Sequence, residues 1–153
     1  MGAVARVKDR VGIGGVLTVE VVDAKTGLVI STERVRNKVT LSGRNLAANI
    51  LRGAANALSK FAVGTGTTAV ADGDTALVNE KVRDTVTSTA QGDNVLTVRY
   101  TLGTTQGNGF TMAEAAVLND VGTLFSRATH AGIAKTSAIQ INYTWTYTFS
   151  SLT

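Results

Sequence analysis

The 153-residue chain contains no cysteine, no proline and one histidine, His130. Without cysteine there is no disulfide framework, no thiolate metal site and no thiol nucleophile. A lone histidine excludes a His-pair proton relay or a multi-histidine metal centre within one chain. No apolar run approaches the ~18 residues that span a bilayer. The opening MGAVARVKDRV lacks the unbroken apolar core of a secretory signal, and Arg6 stands where myristoylation requires Ser or Thr. Aromatic residues are scarce at 5% and charged ones make up 17%, yet 44% of the chain is hydrophobic. That balance suits one packed core and fits neither a disordered polymer nor a coiled coil. The expectation is a soluble, non-secreted, single-domain protein with little catalytic equipment and no cofactor.

Charge is unevenly spread. The net charge of +4 divides into +5 over residues 1–52 and −1 over the remainder. A basic amino-terminal third suits an acidic partner surface or nucleic acid, although a solvated face explains it equally well. The basic residues stand singly and have no aromatic neighbours to stack on bases, which disfavours nucleic acid.

Period-two alternation dominates what is present. Ile139, Ile141, Tyr143, Trp145, Tyr147 and Phe149 alternate with Gln140, Asn142, Thr144, Thr146 and Thr148. Only a strand puts those six large residues on one face, which predicts an inward-facing core strand. The 23 threonines suit the wet faces of such sheets. Three hairpins are predicted: residues 16–36, residues 81–102 turning at Gln91–Asn94, and residues 111–129 turning at Asn119–Gly122. Ser59–Val63 reads as a shorter strand. Ser42 is a plausible N-cap for a helix over Gly43–Arg52 ending at Gly53, and a second short helix is expected over Thr75–Glu80 after Asp74. Gly64–Gly73 and Thr104–Gly109 read as flexible loops. The fold expected is mainly β: an antiparallel β-sandwich of about eight strands with one or two short helices inserted.

Candidate sites each have an ordinary structural explanation. Gly12-Ile13-Gly14-Gly15, Val63-Gly64-Thr65-Gly66 and Gly107-Asn108-Gly109 lack the spacing of a phosphate loop and read as turn glycines. Asp72-Gly73-Asp74 opens like a calcium loop, but Ala76, Leu77 and Val78 occupy later ligand positions. His130 has no carboxylate or catalytic serine pattern beside it. The sequon at Asn142 falls mid-strand in a chain without a signal. One charge stands out: Glu114 shares a strand face with Met112, Ala116 and Leu118. A carboxylate on a core face requires a partner, and Arg127 is chosen because the hairpin brings it alongside, with Arg99 and Arg83 as alternatives. A structural salt bridge is favoured over a general acid or base, because no second group completes a catalytic pair.

Several stretches, taken in order, resemble small structural proteins of tailed bacteriophages found among tail and tail-fibre components. They are Arg36-Asn37-Lys38-Val39-Thr40-Leu41-Ser42-Gly43-Arg44-Asn45-Leu46, Phe61–Thr68, Asp74–Leu77 leading to Glu80 and Arg83, Glu114–Leu118, Leu124–His130, and Ile133–Thr136 before the aromatic strand. Where the family pattern reads Glu-Ala-Gly-Leu-Phe, this chain reads Glu114-Ala115-Ala116-Val117-Leu118. The resemblance implies a non-enzymatic virion building block, made in the host cytoplasm, that self-associates as a homo-oligomer and docks onto other virion proteins without a membrane. A tail, tail-fibre or collar position leads, with a capsid decoration protein as the alternative. A carbohydrate-binding module would need Tyr143, Trp145 and Tyr147 exposed. Residues 1–13 are expected to be an assembly arm (Val4, Arg6, Val7, Lys8, Arg10 and Val11), charged and too thinly apolar to order alone. Residues 14–153 form the single domain.

Overall fold

The alternation near the carboxyl end builds the centre of the molecule. A computed structural model describes residues 10–152. In order come β1 (Arg10–Asp23), β2 (Val29–Arg36), β3 (Lys38–Val39), α1 (Leu41–Leu51), β4 (Leu58–Gly64), β5 (Glu80–Thr85), β6 (Ser88–Gly92), β7 (Val95–Leu102), β8 (Thr111–Asn119), β9 (Leu124–Ala134) and β10 (Ile139–Leu152). They form two five-stranded sheets, ordered β2-β1-β10-β7-β6 and β3-β9-β8-β4-β5, in which every pairing is antiparallel. The sheets pack face to face as a β-sandwich, with ten strands where about eight were expected.

In the first sheet β10 lies between β1 and β7, and Trp145 sits opposite Leu17 and Val98. Ile141, Tyr143, Trp145 and Tyr147 are fully buried, whereas Ile139 is half-buried and Phe149 is partly exposed at the strand's far end. The few aromatics are concentrated between the sheets. Phe61 of β4 stacks on Tyr100 with ring centres 5.0 Å apart and touches Tyr143 and Trp145 at 5.3 and 6.0 Å. One such cluster buries large apolar surfaces of both sheets at once.

Sequence and structure part at several places. The run 81–89 is two strands: β5 joins β4 in the second sheet, and β6 joins β7 in the first. The helix starts earlier than expected, capped by Thr40, whose Oγ1 accepts from Gly43 N–H at 3.2 Å. Ser42 instead donates to the Leu124 carbonyl at 3.0 Å, tying α1 to β9. No helix forms over residues 75–80, because Asp74 turns its carboxylate back to Ala71 N–H and across to Arg127. Residues 10–13, assigned to the arm by sequence, lie in β1, where Arg10 pairs with Leu152 and Ile13 with Phe149. Val4, Arg6, Val7 and Lys8 fall outside the described residues.

Strand β8, at the centre of the second sheet, is buried on both faces. Residues 65–79, joining β4 to β5, fold over the sheet's outer surface, where Leu77 packs on Ala62, Ala116, Leu118 and Leu124. A register shift between Met112 and Glu114 also reverses part of the face expected for β8. Met112 joins Ala115 and Val117 in the main core, while Glu114 faces the covering segment. At the shift Ala113 alone on β8 faces His130–Gly132 on β9, and this irregularity breaks the regular alternation of side chains across the sheet.

Candidate functional site

Glu114 and Arg127 lie on neighbouring strands, β8 and β9, two rungs apart in register, and both side chains are fully buried. Arg127 Nε donates to Glu114 Oε2 at 3.0 Å. The rest of the guanidinium reaches the covering segment: Nη1 donates to Asp74 Oδ2 at 2.9 Å and Nη2 to the Thr68 carbonyl at 2.8 Å. The carboxylate is held as firmly from the same segment. Glu114 Oε1 accepts from Gly66 N–H at 3.0 Å and Asn79 N–H at 2.8 Å, and Oε2 accepts from Val78 N–H at 3.0 Å. The pair is therefore a staple fastening both ends and the middle of residues 65–79 to the sheet.

Burial alone would raise the Glu114 pKa. The N–H groups of Asn79, Val78 and Gly66 and the Arg127 guanidinium outweigh it, so the carboxyl stays below its ordinary range. The group is ionised at neutral pH and every donor around it is committed, which suits anchoring and leaves no proton to transfer. Gly64-Thr65-Gly66 takes its meaning from the same carboxylate. A Cβ on Gly66 would lie 2.5 Å from Glu114 Oε1, so only glycine lets this backbone approach the oxygen.

The other candidates lie elsewhere. Arg83 pairs with Glu80 at 2.8 Å on the surface, and Arg99 is exposed on β7. His130 is buried, with Nδ1 2.8 Å from the Ala131 carbonyl and Nε2 3.4 Å from the Tyr143 hydroxyl, and burial lowers its pKa. Tyr143, Trp145 and Tyr147 are all fully buried, so no sugar-stacking platform exists there. Arg34, Arg36 and Lys38 are exposed singly along β2 and β3. Among the described residues no group of three or more His, Cys, Asp or Glu could hold a metal. No helix among them is long and apolar enough to cross a membrane.

Two functional parts escape sequence reasoning. Asp74 completes the staple, but its position after Gly73 resembles a helix start. Lys135 is buried and has no carboxylate partner among the described residues; its Nζ donates to Asn108 Oδ1 and the Thr136 carbonyl, both at 2.9 Å, and burial lowers its pKa. Together with the Gly109 N–H bond to the Lys135 carbonyl, it fixes the turn before β8. Nothing in the pattern around Lys135 distinguishes it from a surface lysine.

Residues 32–150 match the family described as phage tail-collar fibre protein, N-terminal. Neither a curated protein nor a solved structure matches the chain.

Proposed function

Because the chain belongs to the phage tail-collar fibre family, matching its N-terminal part over most of its length, we propose that it works by self-association and by docking onto other virion proteins. Membership makes it a structural protein of the tail-fibre type and so a component of the phage virion. The observation that carries the reading is that match, spanning both sheets of the sandwich from β2 to β10. The use made of the unusual charged groups supports it. Glu114, Arg127 and Lys135 each hold backbone in place, which is what a rigid assembly module requires and what a catalytic site could not spare. The protein is thus read as non-enzymatic, made in the host cytoplasm, and built into particles as a homo-oligomer without membrane or nucleic-acid contacts.

Residues 1–9 are assigned the role of assembly arm, since they carry Arg6 and Lys8 beside only Val4 and Val7 as larger apolar groups. Electron microscopy of particles carrying a tagged chain tests the assignment. Density at the tail collar or fibre is expected. Density spread over the capsid shell would replace this reading with the decoration-protein alternative. A chain lacking residues 2–9 should fold with an unchanged circular-dichroism spectrum and fail to incorporate.

A further inference from the structure

Beside the staple, α1, the covering segment and the β8–β9 turn enclose a cleft of about 740 Å3. Asn45, Asn49, Asn56, Asp72, Asp120 and Thr123 supply its polar wall, and neither an aromatic nor a basic side chain lines it. Much of this polar capacity is open among the described residues. Asn49 uses only Oδ1, which accepts from Arg52, and Asn56 uses only Nδ2, which donates to Asp120 at 2.7 Å. Asp72 is already bridged by Arg44 at 2.9 Å, so Asp120 is the cleft's uncompensated charge.

The spacing of the α1 asparagines indicates what fits. Residues four apart on a helix rise by ~6.0 Å. Alternate residues of an extended chain repeat at ~6.6–6.8 Å. Asn45 and Asn49 can therefore meet successive outward-facing peptide groups of one extended strand, and each amide both donates and accepts as a peptide group requires. Sugar hydroxyls share that hydrogen-bonding character, but carbohydrate sites use an aromatic face for stacking, and this cleft has none. The charge of Asp120 selects a basic chain over an acidic one.

We propose that this cleft binds an extended basic polypeptide through Asn45 and Asn49, and that its occupant is the amino-terminal segment of a second copy. This rests on the assembly-arm reading and supplies the arm's receptor. The segment MGAVARVKD brings Arg6 and Lys8 against one acid, Asp9, and can lie extended. The described chain begins at Arg10, which pairs with Leu152 at the end of β10. Ile13 pairs with Phe149, and Phe149 lines an apolar groove with Ile50 and Leu51 on the opposite side of α1 from the cleft. A chain's own segment would have to cross α1 to enter its cleft, so a neighbouring copy delivers it more directly.

The probe is a labelled synthetic peptide of residues 1–11, titrated by fluorescence anisotropy into the full chain and into the chain lacking residues 2–9. Saturable binding to both is expected, weakened about tenfold or more by N45A/N49A, which removes two bridging amides. Binding should also weaken with D120N and with added salt. Alanine is the better helix former at both positions, so the double variant keeps its fold and its loss reads recognition alone. Absence of saturable binding, or binding indifferent to N45A/N49A, overturns the proposal. Saturation by a neutral oligosaccharide in place of the peptide overturns it too. Binding only to the shortened chain, with the full chain monomeric by sedimentation at the concentrations used, would place the segment in its own cleft and overturn the second-copy assignment. Particle incorporation separates this from the broader reading. A folded N45A/N49A chain that loses the peptide yet incorporates normally removes the arm's role in assembly and leaves the cleft's ligand intact. A chain that never binds the peptide but needs residues 2–9 to incorporate does the reverse.

Discussion

Strands β10 and β8 are buried by opposite means: β10 turns large, mostly aromatic side chains to one face, whereas β8 buries mostly small apolar ones on two. Along Ile141–Tyr147 every second residue is buried and its neighbours are half-exposed, because the first sheet has one dry face and one wet face. Along Met112–Asn119 every residue is buried. The second sheet carries the first on one side and residues 65–79 on the other. The difference lies in what covers each outer face. A threonine-covered face can stop at water, whereas a face covered by irregular chain must satisfy that chain's backbone groups with partners of its own. Glu114 and Arg127 are those partners. A carboxylate and a guanidinium are costly to bury, and here they are retained because they anchor three N–H groups and a carbonyl that would otherwise lack partners.

The largest effect should come from the single-faced strand. Trp145 lies between Leu17 and Val98 and contacts Phe61 and Tyr147. Trp145→Ala should cost ~3–5 kcal/mol, enough to unfold most domains of this size. Chemical denaturation monitored by circular dichroism measures it. A midpoint shift worth less than ~1 kcal/mol would mean that the core does not depend on this cluster.

Glu114→Ala should come next, at about 3 kcal/mol, the lower end for a broken buried pair because Asp74 still neutralises Arg127. Its signature should be local: hydrogen exchange should rise first in residues 65–79, whereas Trp145→Ala loosens both sheets together. Acid should act through the same carboxyl. Its folded pKa is depressed, so its stabilisation is complete above the ordinary carboxylate range near ~4.3 and is lost as pH falls through the folded value. The wild type should lose stability over that interval more steeply than Glu114→Gln. Parallel slopes would exclude Glu114 as a source of acid sensitivity.

This contrast also accounts for what could be read from the residues. The inward set of β10 is legible because alternation is the direct imprint of one-sided burial. Glu114 and Arg127 are legible as neighbours because a four-residue turn, Asn119–Gly122, sets which strands adjoin. The face that Glu114 occupies is not, since the shift between Met112 and Glu114 leaves no mark in a run of small apolar residues. Nor is the covering segment. Its glycines and threonines look like free loop, and only the carboxylate beneath explains Gly66. The division of residues 81–89 between two sheets is hidden for a related reason, because β5 and β6 are both largely exposed edge strands with weak alternation.

The helix offers a smaller test of how the covering elements are fixed. Thr40→Ala removes the hydroxyl that accepts from Gly43 N–H and should cost about 1 kcal/mol. Ser42→Ala should leave helix content unchanged and weaken only the tie to the Leu124 carbonyl. Far-ultraviolet circular dichroism of the two variants distinguishes them. Loss of helix in Ser42→Ala but not in Thr40→Ala would return the cap to Ser42.

The smallest effect should come from the other Glu–Arg pair of the second sheet. Glu80 and Arg83 approach to 2.8 Å, as close as the staple, but their side chains are 33% and 38% exposed whereas those of Glu114 and Arg127 are fully buried. Water screens the exposed pair, and its two long side chains lose rotamer freedom to hold one geometry. A double-mutant cycle between Glu80→Ala and Arg83→Ala should therefore give only ~0.2–1 kcal/mol. Raising the salt to ~1 M shortens the screening length to ~3 Å and should reduce that coupling towards zero. The same cycle between Glu114→Ala and Arg127→Ala should keep most of its coupling, because ions do not reach a pair enclosed by residues 65–79. If both cycles fell alike with salt, the covering segment would have to open readily in solution, and the second sheet would present a wet face like the first. If both resisted it alike, Glu80 and Arg83 would have to be shielded in solution, by a neighbouring copy seated on the β5 edge.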